Sequence, residues 1–331
     1  MSYTQFGLVE AVDFNALSGN TVTSSPNTFN SMWGVGYGNA GYGQSPVDPV
    51  ADGEVVMASN WADLITKAGK AAGHQGSGIT AIPTPGVGDT IAYLNNVSNN
   101  VTGLYTQRNN ALTQGTTTYH ETICGSSWTD RLVFNMTATF ISGDHARYFF
   151  NAGGQLEVSF YHPSGDRVDA FFNTLSAACG SIVLGSSSGS NTNLVNATRY
   201  HGITKIGGSG TPEFIDSAKG YYDLGTTDTD GDGIVFKQTV GGTPTRYAGY
   251  VGSFIQVRAK TNGAQGLNGD NGNVVTMKVV FAQKPRHGIA ISPNTTVTIT
   301  CRPPSSVYLT NSWGAVGLDG SVSSESYQLY N

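Results

Sequence analysis

The chain has 331 residues, 38% of them hydrophobic and only 12% charged, with 44 glycines and a formal net charge of −5. A charged share near half the usual ~25% leaves Ser, Thr, Asn, Gln and Gly to cover the surface, which suits a protein packed against neighbours. The 17 Lys and Arg nowhere cluster along the chain, which argues against a phosphate-neutralising stripe and against anionic membranes, and no apolar run approaches the roughly 20 residues of a membrane span.

Length sets a prior of two domains. The start, Met1 to Phe6, has neither a basic segment nor an apolar one, so no secretory signal is expected. Asp13-Phe14-Asn15-Ala16-Leu17 then reads as a short capped helix. A Gly/Tyr loop follows from Trp33 to Gln44. Ser59 or Asn60 can cap a helix to about Ala72, with Trp61, Leu64, Ile65 and Ala68 on one face. Pro83, Pro85 and Gly86 break the chain, and Asp89 is expected to cap a longer helix to about Thr113. Its stripe of Ile91, Leu94, Val97, Val101 and Leu104, with Leu112 beyond, fits either a cover for the chain's own core or a short self-pairing coiled coil.

From about residue 116 the period changes from helical to two. Leu132, Phe134, Met136, Ala138 and Phe140 alternate with more polar residues. So do Leu156, Val158 and Phe160; Ile255, Val257 and Ala259; Val275, Met277, Val279 and Phe281; and Val297, Ile299 and Cys301. Turns rich in Gly and Asn separate them, as at 151–154 and 268–273. Tyr148 to Gly154 reads as a tight hairpin with a heavy apolar payload. One helix interrupts the strands: Val168, Phe171, Phe172 and Leu175 lie at helical steps, Ser164 is a candidate cap, and Gly180 a stop. It should lie over an open face or edge of the sheets. A strand from Ser181 to Leu184 should return into them. The fold expected is mainly β: a helical, loop-rich N-terminal attachment region (1–115), then an antiparallel β-sandwich with one inserted helix (116–331).

Cys124, Cys179 and Cys301 are odd in number and far apart, which predicts reduced core thiols and no disulfide framework or metal set. The triplets at Asn135 and Asn196 are then products of composition, not glycan sites. Gly36 to Gly41 matches a dinucleotide-binding string, but that chemistry needs a strand before it and a helix after it; here Pro46 and Pro49 follow closely. Gly185-Ser186-Ser187-Ser188-Gly189 matches a nucleophile-elbow string, yet His201 is too near to be a comfortable partner. The glutamates are single and scattered, so no glycosidase pair is legible. The histidines show no metal spacing.

Asp228, Asp230 and Asp232 stand at alternate positions before Gly233. Such carboxylates can wrap one hard cation. Thr239 stands where an EF-hand would place its bidentate Glu, and Ile234-Val235-Phe236 looks like strand. The segment is therefore either an Asp/Gly-rich hairpin turn or a structural calcium site on a β loop. No other cofactor is expected.

Three stretches resemble virion proteins of tailed bacteriophages: Trp33 to Gln44 with Asn60 to Ile65, Ala146 to Gln155, and Val297 to Gly314. The resemblance implies a non-enzymatic structural component of neck, collar, tail, baseplate or fibre. Such a protein is made in the host cytoplasm and resides in the virion. Its partners would be other virion proteins and copies of itself, in trimers or six-fold rings by analogy with tail symmetry, and neither nucleic acid nor membrane. The Arg302-Pro303-Pro304 segment should end a strand sharply. The tail beyond it carries Val307, Leu309, Trp313, Val316 and Leu318 with few charges, and is read as a segment that docks on a neighbouring subunit. Two other classes stay open. A carbohydrate-binding adhesin would use some of the 16 tyrosines to bind a host-surface glycan. A depolymerase would hold two carboxylates across a cleft.

Overall fold

The computed structural model describes residues 9–19, 27–87, 89, 94–110, 115–186, 202–227, 233–239, 249–267, 269–284 and 288–325. Among these the chain is mainly β, with two antiparallel sheets and six α-helices.

Four helices precede the first strand: α1 (Ala11–Ser18), α2 (Phe29–Trp33), α3 (Ala58–Gln75) and α4 (Leu94–Thr106). The first begins two residues before the expected Asp13, because Glu10 and Asp13 form a reciprocal capping box. In α3, Asn60 caps from inside, its Oδ1 accepting from Met57 N at 2.9 Å. Trp61, Leu64 and Ala68 are buried as their spacing predicts, with Ile65 half-buried. The α4 helix ends at Thr106, seven residues short of the expected Thr113. Asp89 bonds the Gly86 amide, closing a local turn. Val97, Val101 and Leu104 are buried in the chain's own core, the first of the two readings of this stripe. Ile91 and Leu112 lie outside the described residues.

The five-stranded sheet has the order β1 (Thr118–Cys124), β10 (Thr295–Arg302), β3 (Gln155–Tyr161), β4 (Ser181–Leu184), β5 (Ile203–Ile206). The six-stranded sheet runs β11 (Gly317–Glu325), β2 (Arg131–Thr139), β9 (Val274–Ala282), β8 (Phe254–Thr261), β7 (Ile234–Thr239), β6 (Phe214–Ile215). Every alternating run found in the sequence is a strand, and its apolar set faces inward: Leu132, Phe134, Met136 and Ala138 on β2 are all 0% exposed. The inward residues of both sheets belong to one core cluster, which also takes in α1 to α4. Along one side β11 lies beside β1. A side chain at Gly320 there would collide with the Thr122 hydroxyl, so the close approach needs glycine.

Among the described residues two helices, not one, are inserted among the strands. The expected hairpin at Tyr148 to Gly154 is instead the end of α5 (Gly143–Asn151). Its start signal is Ser142, whose Oγ accepts from His145 N. Ala146, Phe149 and Phe150 are fully buried, and the Gly-Gly pair closes the helix: Gly153 N bonds Phe150 O and Gly154 N bonds Phe149 O. The second insertion, α6 (Arg167–Cys179), has the predicted buried face, but Asp166 caps it and not Ser164. Asp166 Oδ1 accepts from the amides of Val168 and Asp169. The helix packs on β3 of one sheet and on β7 and β8 of the other, so it bridges them. Burying a ring such as Phe172 there contributes roughly 2–3 kcal/mol.

Arg302 ends β10 before Pro303, as expected. The segment beyond it packs in part on its own chain. Leu309 and Trp313 are each 3% exposed within the chain's own core, and residues Gly317 to Glu325 pair with β2. A free inward edge on β2 is thereby filled from the same chain.

Candidate functional site

The three stretches that carry the resemblance converge in space. The Gly/Tyr loop follows α2 and returns to it: Val35 N bonds Gln44 O and Gln44 N bonds Trp33 O, both at 2.9 Å. Irregular backbone of this kind leaves carbonyls without ladder partners, so side chains must supply donors. Arg147 and Asn151, one turn apart on α5, do so. Arg147 is 0% exposed; its Nη1 donates to Gly38 O and its Nη2 to Asp144 Oδ1 at 2.8 Å. Asn151 Nδ2 donates to Asn39 O at 2.7 Å and Gly41 O at 3.0 Å.

The third stretch closes the junction. Gln44 Nε2 donates to Thr310 O and Ser312 Oγ, each at 3.1 Å, while its Oε1 accepts from Thr310 N and Oγ1, each at 2.8 Å. Gly43 has φ +74°, and a Cβ there would stand 2.5 Å from the Tyr148 ring. Helix α2, not a strand, leads directly into Gly36 to Gly41, and no helix begins after it until Ala58, so the dinucleotide string lacks its context.

Beside this junction opens a cleft of about 610 Å³, within the roughly 300–1,000 Å³ of small-molecule sites. Tyr37 to Ala40 of the loop form one wall and Tyr105, Arg108 and Asn109 at the end of α4 another; Asn151, Tyr222 and Gln265 to Leu267 complete it. The back of the cleft is locked. Tyr222 donates its hydroxyl to Asn151 Oδ1 at 2.5 Å. Gln265 donates to the carbonyls of Tyr221 and Leu224 and accepts from Thr261 Oγ1. Burial pushes the Tyr222 hydroxyl well above the ordinary tyrosine range, so it stays protonated. The front is uncommitted. The side-chain polar groups of Tyr37, Asn39, Tyr105 and Asn109 take no hydrogen bond among the described residues. The Arg108 guanidinium lies 4.4 Å above the Tyr105 ring and spends only Nη1, on Tyr105 O. No Asp or Glu is among the described lining residues.

A second polar centre lies deep between the sheets. Trp128 is 2% exposed and meets Phe172 edge-on at 5.2 Å. Its Nε1 donates to Thr295 Oγ1 at 3.0 Å, Thr295 Oγ1 is 2.8 Å from His162 Nδ1, and His162 Nε2 is 3.2 Å from Asp169 Oδ1. Ser292 donates its hydroxyl to Asp169 Oδ2 at 2.6 Å and its amide to Oδ1 at 2.9 Å. Burial holds the His162 pKa below its ordinary value. Burial alone would raise the Asp169 carboxyl, yet the Ser292 bonds and then His162 bring it below its usual value. The pair is thus a neutral imidazole donating from Nε2 to a carboxylate, with Thr295 donating to Nδ1. Thr295, His162 and Asp169 stand in the order of hydroxyl, imidazole and carboxylate, but Thr295 and His162 are both 0% exposed and the Thr295 hydroxyl is held by Trp128, so the row is sealed within the core.

Asp228, Asp230 and Asp232, with Ser187, Ser188 and His201, lie outside the described residues. Among the described residues no group of three or more His, Cys, Asp or Glu could hold a metal, and no helix is long and apolar enough to cross a membrane. Cys124, Cys179 and Cys301 are free and buried, and burial pushes the Cys301 thiol up to about 12. Sequence reading gave no role to Trp128, His162, Arg147 or Arg108. A helical reading of Ser142 to Asn151 would have placed Arg147 and Asn151 on one side of α5. The cleft itself had no local signal.

No protein-family model matches the chain, and no curated protein or solved structure shows significant similarity to it.

Proposed function

We propose that this chain is a non-enzymatic structural component of a tailed-phage particle, assembled through contacts with copies of itself and with other virion proteins. In this reading residues 1–115 form a helical attachment region, and the two sheets of 116–331 form a sandwich body. The resemblance of the three converging stretches motivates it. The observation that carries the assembly is the outer face of the five-stranded sheet. Tyr119, Ile123 and Tyr161 are 73%, 49% and 55% exposed there. Ile123 pairs with Thr296, which pairs with Tyr161, so the two apolar tips share one row; Tyr119 lies two rows along, opposite Thr300. Thr296, Thr298 and Thr300 fill the middle. Charge on this face is confined to exposed Glu121 and to Glu157, which is paired with Arg302. A face with aromatic tips and little charge suits a subunit contact.

The test is light scattering of the purified chain over a concentration series. Trimers or six-membered rings are expected, dissociated by Ile123→Asp or Tyr161→Asp with the fold intact by circular dichroism. A monomer at the highest soluble concentration would refute the proposal.

The cleft favours a second reading, recognition of a host-surface glycan. Tyrosine rings offer faces for the apolar side of a sugar, and the uncommitted amides and hydroxyls offer partners for its hydroxyls. A depolymerase would need two facing carboxylates, and the described lining of the cleft supplies neither.

A further inference from the structure

We infer that the cleft binds an acidic saccharide, with Arg108 taking the carboxylate. The inference rests on the glycan reading above and narrows it to a chemical class. Two observations carry it. The first is the division of labour in the cleft. Asn151, Tyr222 and Gln265 are spent on one another and on backbone carbonyls, so the back wall is rigid before any ligand arrives. Tyr37, Asn39, Tyr105 and Asn109 stand in front with their polar side-chain groups unpaired among the described residues. Unspent polar groups beside a rigid wall are what recognition of a small polar ligand requires.

The second observation is charge. Among the described residues that line the cleft Arg108 alone is charged, in a chain whose net charge is −5. Its ring partner holds the guanidinium plane, and only Nη1 is spent, so Nη2 and Nε remain as a two-pronged donor. That fork matches a carboxylate. Two carboxylates act on lining tyrosines from outside the described lining. Asp48 acts on Tyr37, and Asp270 acts on Tyr222, where Arg147 opposes it. A neutral sugar would leave the fork without an anionic partner. An acidic one would satisfy it while its ring lies against tyrosine.

Calorimetric titration of the full chain with trigalacturonate, maltotriose and AMP tests this. Trigalacturonate is expected to bind best. Arg108→Gln should weaken it by about 10- to 100-fold, the usual worth of charge-assisted hydrogen bonds, and leave maltotriose within about twofold, with an unchanged melting temperature. Lys70→Gln, a cation exposed on α3, should change nothing. If Arg108→Gln fails to fold, Tyr105→Ala and Asn109→Ala replace it, and each should weaken trigalacturonate. Equal affinity for the two saccharides, or no loss in Arg108→Gln, overturns the acidic class and leaves glycan binding standing. No saccharide binding at about 10 mM removes both readings. Tighter binding of AMP than of either saccharide overturns both in favour of a nucleotide.

Discussion

The loop junction around Gln44 and the core around Trp128 both bury polar side chains, but they use them in opposite ways. At the junction, Arg147, Asn151 and Gln44 donate to carbonyls of Gly38, Asn39, Gly41 and Thr310. In the core, Trp128, Thr295, His162, Asp169 and Ser292 bond mainly to each other. The difference follows from backbone geometry. Between paired strands the ladder already satisfies N–H and C=O, so polar side chains there must find one another. Along an irregular loop the carbonyls are bare, and long side chains from a neighbouring helix reach out to them. The junction therefore positions a loop and the cleft beside it, whereas the core relay ties α6 to β10 and to the 292–295 segment.

The contrast can be broken most severely at Trp128. Trp128→Ala removes a ring packed against Phe172 and Phe281 and leaves Thr295 without its donor; a loss of about 4–5 kcal/mol is expected in urea unfolding. The cleft should survive in whatever fraction stays folded, because no lining residue touches this centre. Arg147→Ala comes next, at about 3 kcal/mol, since it strips Gly38 O and Asp144 of a buried partner. Unlike the tryptophan change, it should also raise proteolysis within residues 34–44, read by mass spectrometry. Gln44→Ala should cost about 2 kcal/mol by leaving the Thr310 amide and the Ser312 hydroxyl short of a partner. Its mark is weaker anchoring of residues 305–316, seen as faster amide exchange there and not in β2 or β9.

The smallest effect is the pH dependence, and it belongs to the core alone. Folded His162 has a pKa below its ordinary 6.5, so the unfolded chain binds more protons in the window between them. Its contribution is complete above about pH 6.5 and is lost as pH falls through that value toward the folded one. Asp169, also held low, adds a further loss at more acid pH, as pH drops below the ordinary carboxylate range toward its folded value. Melting temperatures from pH 7.5 to 5 should fall, and His162→Gln should flatten that slope. A slope unchanged in His162→Gln would mean that the imidazole titrates alike in the folded and the unfolded chain.

How much of this was legible beforehand depends on the range of the interaction concerned. The strands β2, β3, β8, β9 and β10 were readable because one buried face imposes period two on neighbours in sequence. The edge strands β1 and β11 were not. Their inward positions are filled by Thr122, Gly320 and other small or polar residues as well as by apolar ones, and their outward positions carry Tyr119 and Ile123. The α5 segment was misread because Gly153-Gly154 is a turn signal for a hairpin and a helix alike, and only the burial of Ala146, Phe149 and Phe150 together separates the two.

By itself the sequence determined the β-rich class, the inward residues of five strands, the face of α3 and α6, and the end of β10 at the two prolines. These depend on local periodicity and on backbone restrictions that act within a few residues. The tertiary structure alone decided that Gln44 meets Thr310, that Arg147 reaches Gly38, that the segment after β10 completes the chain's own sheet, and that Arg108 faces an aromatic cleft. Each joins residues tens to hundreds of positions apart, and no local pattern encodes which distant partner will satisfy a buried donor.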